Sequence, residues 1–321
     1  MENAEKIFLG GIAAAGSAAY VRSEYEKRHF VTDRQIIRSP KIRRERNLVF
    51  LSDLHENVYP SGHPGEPDRL CRAIGAVSPD AVLIGGDMII RRPGRPCRCR
   101  RTVGLLAQLV RLCPVYYANG NHEDRLDQSI FPDGSFCDPF LREISRLGVV
   151  YLRDRSVNLF PDVRLSACTV PERLYRCHFR IPVMEDDYLE KRLGPSSGSR
   201  YQILLLHSPQ FFRNAAGWGA DLTLSGHFHG GTIRIPGLGG LMTPQYQFFR
   251  PECAGRFDRD GKTMIVSRGL GTHSINIRLN NRPELLWITL LPEQEKKGRP
   301  AGEENTRLGG DEDTIRHGDF V

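Results

Sequence analysis

Asp80-Ala81-Val82-Leu83-Ile84-Gly85-Gly86-Asp87 is the stretch on which the reading of this chain turns. Four apolar residues in a row mark a buried strand, and two glycines then let the backbone turn tightly before a carboxylate is presented. Alone, such a turn is structural as readily as functional. The layout recurs, however. Residues 48–52 run into Asp53-Leu54-His55, 115–118 into Asn119-Gly120-Asn121-His122-Glu123, 202–206 into His207, and 222–225 into Gly226-His227-Phe228-His229. Each of these five apolar runs delivers Asp, Asn or His at its carboxyl end, the edge at which α/β sheets bind ligands.

Between and beyond these runs the pattern alternates. Helical spacing predicts helices over 68–77, 102–112 and 138–147, giving a βαβαβ order with parallel strands and right-handed crossovers. After Val149 the texture changes to short strands at 149–152, 157–160, 163–168, 232–235, 263–267 and 284–291, with a surface helix over 185–193 and a Ser-rich loop at 195–199. Residues 25–42 carry loosely alternating apolar positions and read as one or two strands leading into the core. Two sheets with helices outside fit this order better than one doubly wound sheet. The expected fold class is therefore α/β with mixed α+β character.

The chain has 321 residues, enough for one large domain of roughly 250 residues plus tails. A hydrophobic content of 40% argues for a folded core and against a disordered chain. The expected organisation is an apolar leader over 1–24, a single domain over 25–292 and a polar tail over 293–321. Lys and Arg number 45 against 38 Asp and Glu, a net charge of +7 concentrated at 38–46 and 91–101. Such an excess suits a phosphate-bearing substrate or an anionic membrane surface, with nucleic acid third; solvated surface charge explains it as well. No specific nucleic-acid binding is expected. Eight scattered cysteines, several in apolar runs, fit free thiols better than a disulfide framework, and Cys97-Arg98-Cys99 lacks the second pair a structural zinc site needs.

Residues 7–21 form an apolar, small-residue stretch behind Lys6. At fifteen residues it is shorter than the ~20 of a normal spanning helix. It fits a signal-peptide core, with Ser17-Ala18-Ala19 as a cleavage-like site, or a short membrane anchor. A helix packed on the domain, or a structureless start, is the bland alternative. Cytoplasmic, membrane-associated and exported locations all stay open on this reading.

The chemistry lies at the strand ends. Asp53, His55, Asp87, Asn121, His122, His207, His227 and His229 include five of the ten histidines. Imidazole, carboxylate and amide oxygen together suit Mn, Fe or Zn. So many polar groups exceed what one tetrahedral ion needs, and two metal ions are the economical reading. Any one of these residues could merely cap a following helix; all five blocks in this order leave that reading little room.

In combination, Asp-x-His, Gly-Asp, Gly-Asn-His-Glu, a lone His and Gly-His-x-His resemble the pattern of the calcineurin-like metallophosphoesterase superfamily, over about residues 48–291. The resemblance implies a four-layer β-sandwich of two mixed sheets flanked by helices. It implies that Asp87 bridges two metal ions, that Asp53, His55 and His229 complete one site, and that Asn121, His207 and His227 complete the other. His122 would contact the phosphate and assist the leaving group, with Glu123 able to orient it by a hydrogen bond. A hydroxide bridging the two metals would attack phosphorus in line. Within the superfamily, the run from Asp221 to Gly231, with Val266-Ser267-Arg268-Gly269 and 280–285, is similar to a bacterial branch of membrane-associated phosphodiesterases that includes UDP-diacylglucosamine pyrophosphatase-like enzymes. The expected activity is a phosphodiesterase or pyrophosphatase acting on a nucleotide- or lipid-linked phosphate ester. The alternatives are a phosphomonoesterase, protein phosphatases included, and a non-catalytic scaffold. Arg91 and Arg92, in the Arg-rich loop after Asp87, and Arg268 are candidate substrate contacts; Arg268 serves equally well as a surface or core-bridging arginine.

Overall fold

A computed structural model of the chain describes residues 2–59, 68–272 and 275–293. It opens with helix α1 (Glu2–Arg28) and then strands β1 (Val31–Ser39) and β2 (Arg46–Leu51). The strand–helix alternation follows through α2 (Arg69–Val77), β3 (Ala81–Ile84), α3 (Arg100–Leu109), β4 (Val115–Ala118), α4 (Pro139–Arg146) and β5 (Val150–Leu152). The second half comprises β6 (Arg155–Phe160), β7 (Val163–Ala167), α5 (Glu172–Tyr175), α6 (Tyr188–Leu193), β8 (Tyr201–Leu205), α7 (Phe212–Trp218) and β9 (Leu222–Ser225). A short hairpin, β10 (Arg234–Ile235) with β11 (Gly239–Gly240), precedes β12 (Gly255–Arg259), β13 (Lys262–Val266) and β14 (Glu284–Pro292).

The strands form two six-stranded mixed sheets, ordered β1-β14-β2-β3-β4-β5 and β12-β13-β9-β8-β7-β6. In the first, β2 to β5 are parallel and β14 runs against β2. In the second, β13, β9, β8 and β7 are parallel. The sheets are apolar on both faces, which is why their strands read as unbroken hydrophobic runs. In β2, Leu48 and Phe50 enter the core between the sheets, while Val49 and Leu51 face the helices α2, α3 and α4. Across the sandwich, Ile203 and Leu205 of β8 share that central core, and Leu204 joins Leu189, Phe211 and Ala215 on the outer face. The result is a four-layer helix–sheet–sheet–helix sandwich, as expected from the sequence.

Several local expectations shift. Residues 25–42 hold one strand, because α1 continues to Arg28 and β1 starts only at Val31. The helix expected over 102–112 starts at Arg100 and ends at Leu109. Its start is fixed from outside, by the buried Glu56 carboxylate, which accepts the Arg101 and Thr102 N–H groups and the Thr102 hydroxyl. The helix expected over 185–193 is shortened to Tyr188–Leu193, and 232–235 reduces to the two residues of β10. Among the described residues no helix is long and apolar enough to cross a membrane, and all eight cysteines are free thiols. The tail expected over 293–321 lies, past Glu293, outside the described residues.

One staple joins the two sheets at the edge from which β2, β3 and β9 start. Asp221, just before β9, accepts from Lys41 Nζ at 2.8 Å, Lys262 Nζ at 2.7 Å and the Gln202 N–H at 2.9 Å. Burial alone would raise the Asp221 carboxyl, but the hydrogen bonds from Lys262, Lys41 and Gln202 outweigh it and hold it below the usual range. A carboxyl depressed in the folded state stabilises it above the unfolded-state pKa of about 3.9 and loses that contribution as pH falls through the folded value. Asp221→Asn should therefore cost about 1–3 kcal/mol of unfolding free energy at neutral pH. In denaturant melts the gap from wild type should close as the pH is lowered below about 4.

Candidate metal centre

The parallel strands of both sheets point their carboxyl ends at one edge, and the candidate side chains meet there. Asp53 and His55 follow β2, Asp87 follows β3, Asn121 and His122 follow β4, His207 follows β8, and His227 and His229 follow β9. All eight are buried. Asp53, His55 and His229 place ligand atoms within 4.8 Å of one another, as do Asp87, His207 and His227, and His55, Asp87 and His122. The His55 and His229 Nε2 atoms stand 3.2 Å apart. Asp87 Oδ2 lies 3.4 Å from His207 Nε2, and Asp53 Oδ1 lies 3.4 Å from His229 Nε2. Asp87 Oδ2 and Asn121 Oδ1 are buried acceptors that receive no hydrogen bond from the described residues. Convergent nitrogen lone pairs, two carboxylates and orphaned oxygens in one small volume form a donor set that fits metal ions.

The backbone is bent to bring these groups inward. Asp53, His55, Asp87, His227 and His229 all have positive φ, from 45° to 66°. That region costs a non-glycine residue energy and persists where the surroundings over-determine it, as at functional sites. Here the surroundings do so. The ladder between β2 and β3 continues past both strands, with Asp53 N donating to Gly86 O and His55 N to Asp87 O. Asp53 accepts the His227 N–H at 3.0 Å and the Ser52 hydroxyl at 2.6 Å. Gly120 and Gly226 are required by proximity: a Cβ on either would collide with the Asp87 or Asp53 carboxylate.

Three imidazoles are oriented from behind. His207 Nδ1 bonds the Gly85 carbonyl at 2.7 Å, and His229 Nδ1 bonds the Gly271 carbonyl at 3.2 Å. A carbonyl only accepts, so in both rings Nδ1 carries the hydrogen and the Nε2 lone pair faces the site. His122 is the reverse: its Nδ1 accepts the Arg91 N–H at 2.9 Å. A backbone amide only donates, so the neutral ring carries its hydrogen on Nε2.

Glu123 does not perform the orienting role expected for it. Its two oxygens accept from the backbone N–H groups of Asp87, Met88 and Gly120 and from the Tyr117 hydroxyl, at 2.7–3.0 Å. Those four donors match the roughly four lone-pair positions of a carboxylate, and the orienting bond to His122 comes from Arg91 instead. Glu123 is the buried peg on which the Asp87 turn hangs.

Charge is strongly coupled in this volume. Burial pushes the Asp53 carboxyl up to about 6, with His207 opposing and Asp87 adding repulsion. Burial acts the same way on Asp87, but attraction to His207, His122 and His55 outweighs it and holds Asp87 well below the usual carboxylate range. Burial would depress His207, yet Asp87 and Asp53 raise it to about 9.

A cleft of about 520 Å³ opens over these groups, lined by His55, Asn121, His122 and His227. Arg92 lines it too, whereas Arg91 contributes its N–H to His122 and turns its guanidinium to the Arg95 carbonyl. Arg268 instead pairs with Glu284 at 3.1 Å. The sequence reading overlooked Tyr175, Arg125 and Arg176. The Tyr175 ring packs edge-on against His227 with centroids 4.7 Å apart, and both arginines line the cleft while pairing with Glu172. Arg125 sits three residues past His122, a position the motif could have flagged; α5, which carries Tyr175, has no motif of its own.

The model of the family described as calcineurin-like phosphoesterase matches residues 46–231. The chain belongs to this family. It is a metal-dependent phosphoester hydrolase. Among its relatives, the metallophosphoesterase YkuE of Bacillus subtilis (strain 168) is 35% identical over 88% of this chain and 92% of its own length. The metallophosphoesterase YkoQ of the same organism is 27% identical over 76% of this chain and 83% of its own. The phosphodiesterase YaeI of Escherichia coli (strain K12) is 24% identical over 76% and 82%, respectively.

Glu123→Gln should lower stability by about 1–3 kcal/mol, because the amide's NH2 must face backbone donors inside the protein. Chemical denaturation measures that cost, and metal titration of the folded variant should show weakened binding, since the Asp87 turn loses its peg.

Proposed function

We propose that this chain hydrolyses phosphodiesters at a dinuclear metal centre. Asp87 would serve both ions, Asp53, His55 and His229 would complete one site, and Asn121, His207 and His227 would complete the other. The observation that carries this reading is the contrast behind the imidazoles: carbonyls turn the lone pairs of His207 and His229 toward the site, whereas an amide leaves His122 a donor. These bonds support a ligand role for His207 and His229 and a hydrogen-bond-donor role for His122.

When bound, two cations supply a water nucleophile that is active near neutral pH and neutralise phosphate oxygens; imidazole, carboxylate and amide ligands favour Mn, Fe or Zn. The chain's own residues do the rest. Asn121, Tyr175 and His227 wall the cleft on the inner side, and Arg92, Arg125 and Arg176 at its rim attract the anionic ester. As the water oxygen bonds to phosphorus and the opposite P–O bond breaks, the His122 Nε2–H donates a hydrogen bond that stabilises the departing oxygen, which takes up the proton the attacking water gives up. An alkoxide leaving group gains from that hydrogen bond, and the name of the relative YaeI supports the diester reading. On α1, Ile7, Phe8, Leu9 and Ile12 are exposed, which supports association of this segment with a lipid surface and a lipid-linked substrate.

Protein loaded with Mn should turn over bis-p-nitrophenyl phosphate faster than the monoester p-nitrophenyl phosphate, and Asp87→Asn should turn over neither. His122→Ala should lose about 10²–10³ in kcat while metal content stays at the wild-type value. Faster monoester turnover would establish the phosphomonoesterase alternative, and a chain that takes up no metal would be a scaffold.

A further inference from the structure

We propose that the last turns of α1 belong to the metal centre: Ser23 and Glu26 are positioning residues that fix the backbone on which His229 stands. The inference rests on the metal-centre reading above. Between residues 5 and 28 the buried side chains are Ser23 and Glu26, both polar. A helix seated on the domain through hydrogen-bonding groups is held in one register and orientation, which an apolar contact does not impose.

Two routes run from α1 to His229. In the first, the buried Glu26 carboxylate accepts the Asn280 N–H at 3.1 Å and the Asn281 N–H at 2.8 Å. Asn281 in turn donates its side-chain amide to His229 O at 2.7 Å and Thr232 O at 3.1 Å. In the second, Ser23 Oγ accepts the Arg278 N–H at 3.0 Å. The buried Arg278 guanidinium donates to the carbonyls of Arg268, Gly269 and Gly271. Gly271 O is the acceptor that orients the His229 ring. One route fixes the His229 backbone and the other fixes its imidazole.

The segment they hold is strained. His229, Gly230, Gly231 and Thr232 have φ of 49°, 66°, 80° and 62°, four consecutive residues in the left-handed region. Such a run needs bonds from outside to persist. Asn281 brackets it at both ends and also abuts Gly230, where a Cβ would strike the Asn281 side chain. Releasing Glu26 frees Asn281, and His229 then samples other positions. The ion held by Asp53, His55 and His229 loses affinity, while the ion held by Asn121, His207 and His227 keeps its ligands.

The test is Mn²⁺ titration of the full chain followed by electron paramagnetic resonance. Wild type should pass to a spin-coupled pair at two Mn per chain. In Glu26→Gln, whose amide retains one acceptor oxygen for two N–H groups, the second Mn should bind at least tenfold more weakly, so that the uncoupled six-line signal persists at that ratio. The first binding event should be unchanged. Ser23→Ala should move the same way, and it decides the matter if Glu26→Gln does not fold. Val21→Ala, at an exposed position of the same helix, should match wild type. Wild-type affinity for both ions in folded Glu26→Gln and in Ser23→Ala would overturn the proposal, as would an equal loss at both positions. A wild type that binds fewer than two Mn would instead refute the dinuclear reading beneath it.

Discussion

Two carboxylates, Asp53 and Asp87, are buried within reach of the same imidazole: His207 Nε2 is 3.7 Å from one and 3.4 Å from the other. In a low-dielectric interior, two such carboxylates repel, and the pair is relieved by a cation between them or by a proton on one of them. Much of the surrounding structure answers that constraint. Backbone amides of His122 and His227 are aimed at the carboxylates, and glycines at 120 and 226 clear space for them. His207 reaches in from the opposite sheet. The fold can be described as two sheets packed face to face, with the carboxyl ends of their parallel strands at a common edge, so that each donates half of a cage for positive charge.

The same constraint accounts for the bent backbone. Each candidate ligand follows a parallel strand whose direction would carry the next side chain past the site, and at Asp53, His55, Asp87, His227 and His229 positive φ turns it back. Asp, Asn and His tolerate that region better than most residues, since their short polar side chains bond locally. The residue types that bind metal are thus also the types that the turn admits. Glu123 adds a second tier: with both oxygens engaged by main-chain donors of the Asp87 turn and by Tyr117, it converts a flexible loop end into a fixed one.

How much of this was legible in the sequence depends on distance along the chain. The strands and their polar ends were plain, because an apolar run followed by Asp53 or His207 is a local signal read within a few residues. Helix α4 was legible for the same reason, with Asp138 capping the Phe140 and Leu141 N–H groups. What could not be read is held by partners far off. The start of α3 is fixed by Glu56, and α1 continues through residues that resemble a strand because Ser23 and Glu26 meet the 278–281 segment. Arg268, a candidate for substrate by its motif, faces Glu284 instead. Glu123 shows the subtler failure: its place in the motif was evident, yet its partners were set by the turn it supports, not by its neighbour His122.

The pairing of β1 with β14 has a geometric corollary. They run parallel, Val31 beside Glu284 and Ser39 beside Pro292, and β14 opposes β2. Both therefore begin at the edge where Asp53 and Asp87 lie and end at the far edge. Helix α1 enters the fold at the catalytic rim, whereas the chain leaves the sheet at Pro292 on the opposite side. A tether through α1 therefore turns the cleft toward whatever holds it, whereas an attachment at Pro292 presents it outward.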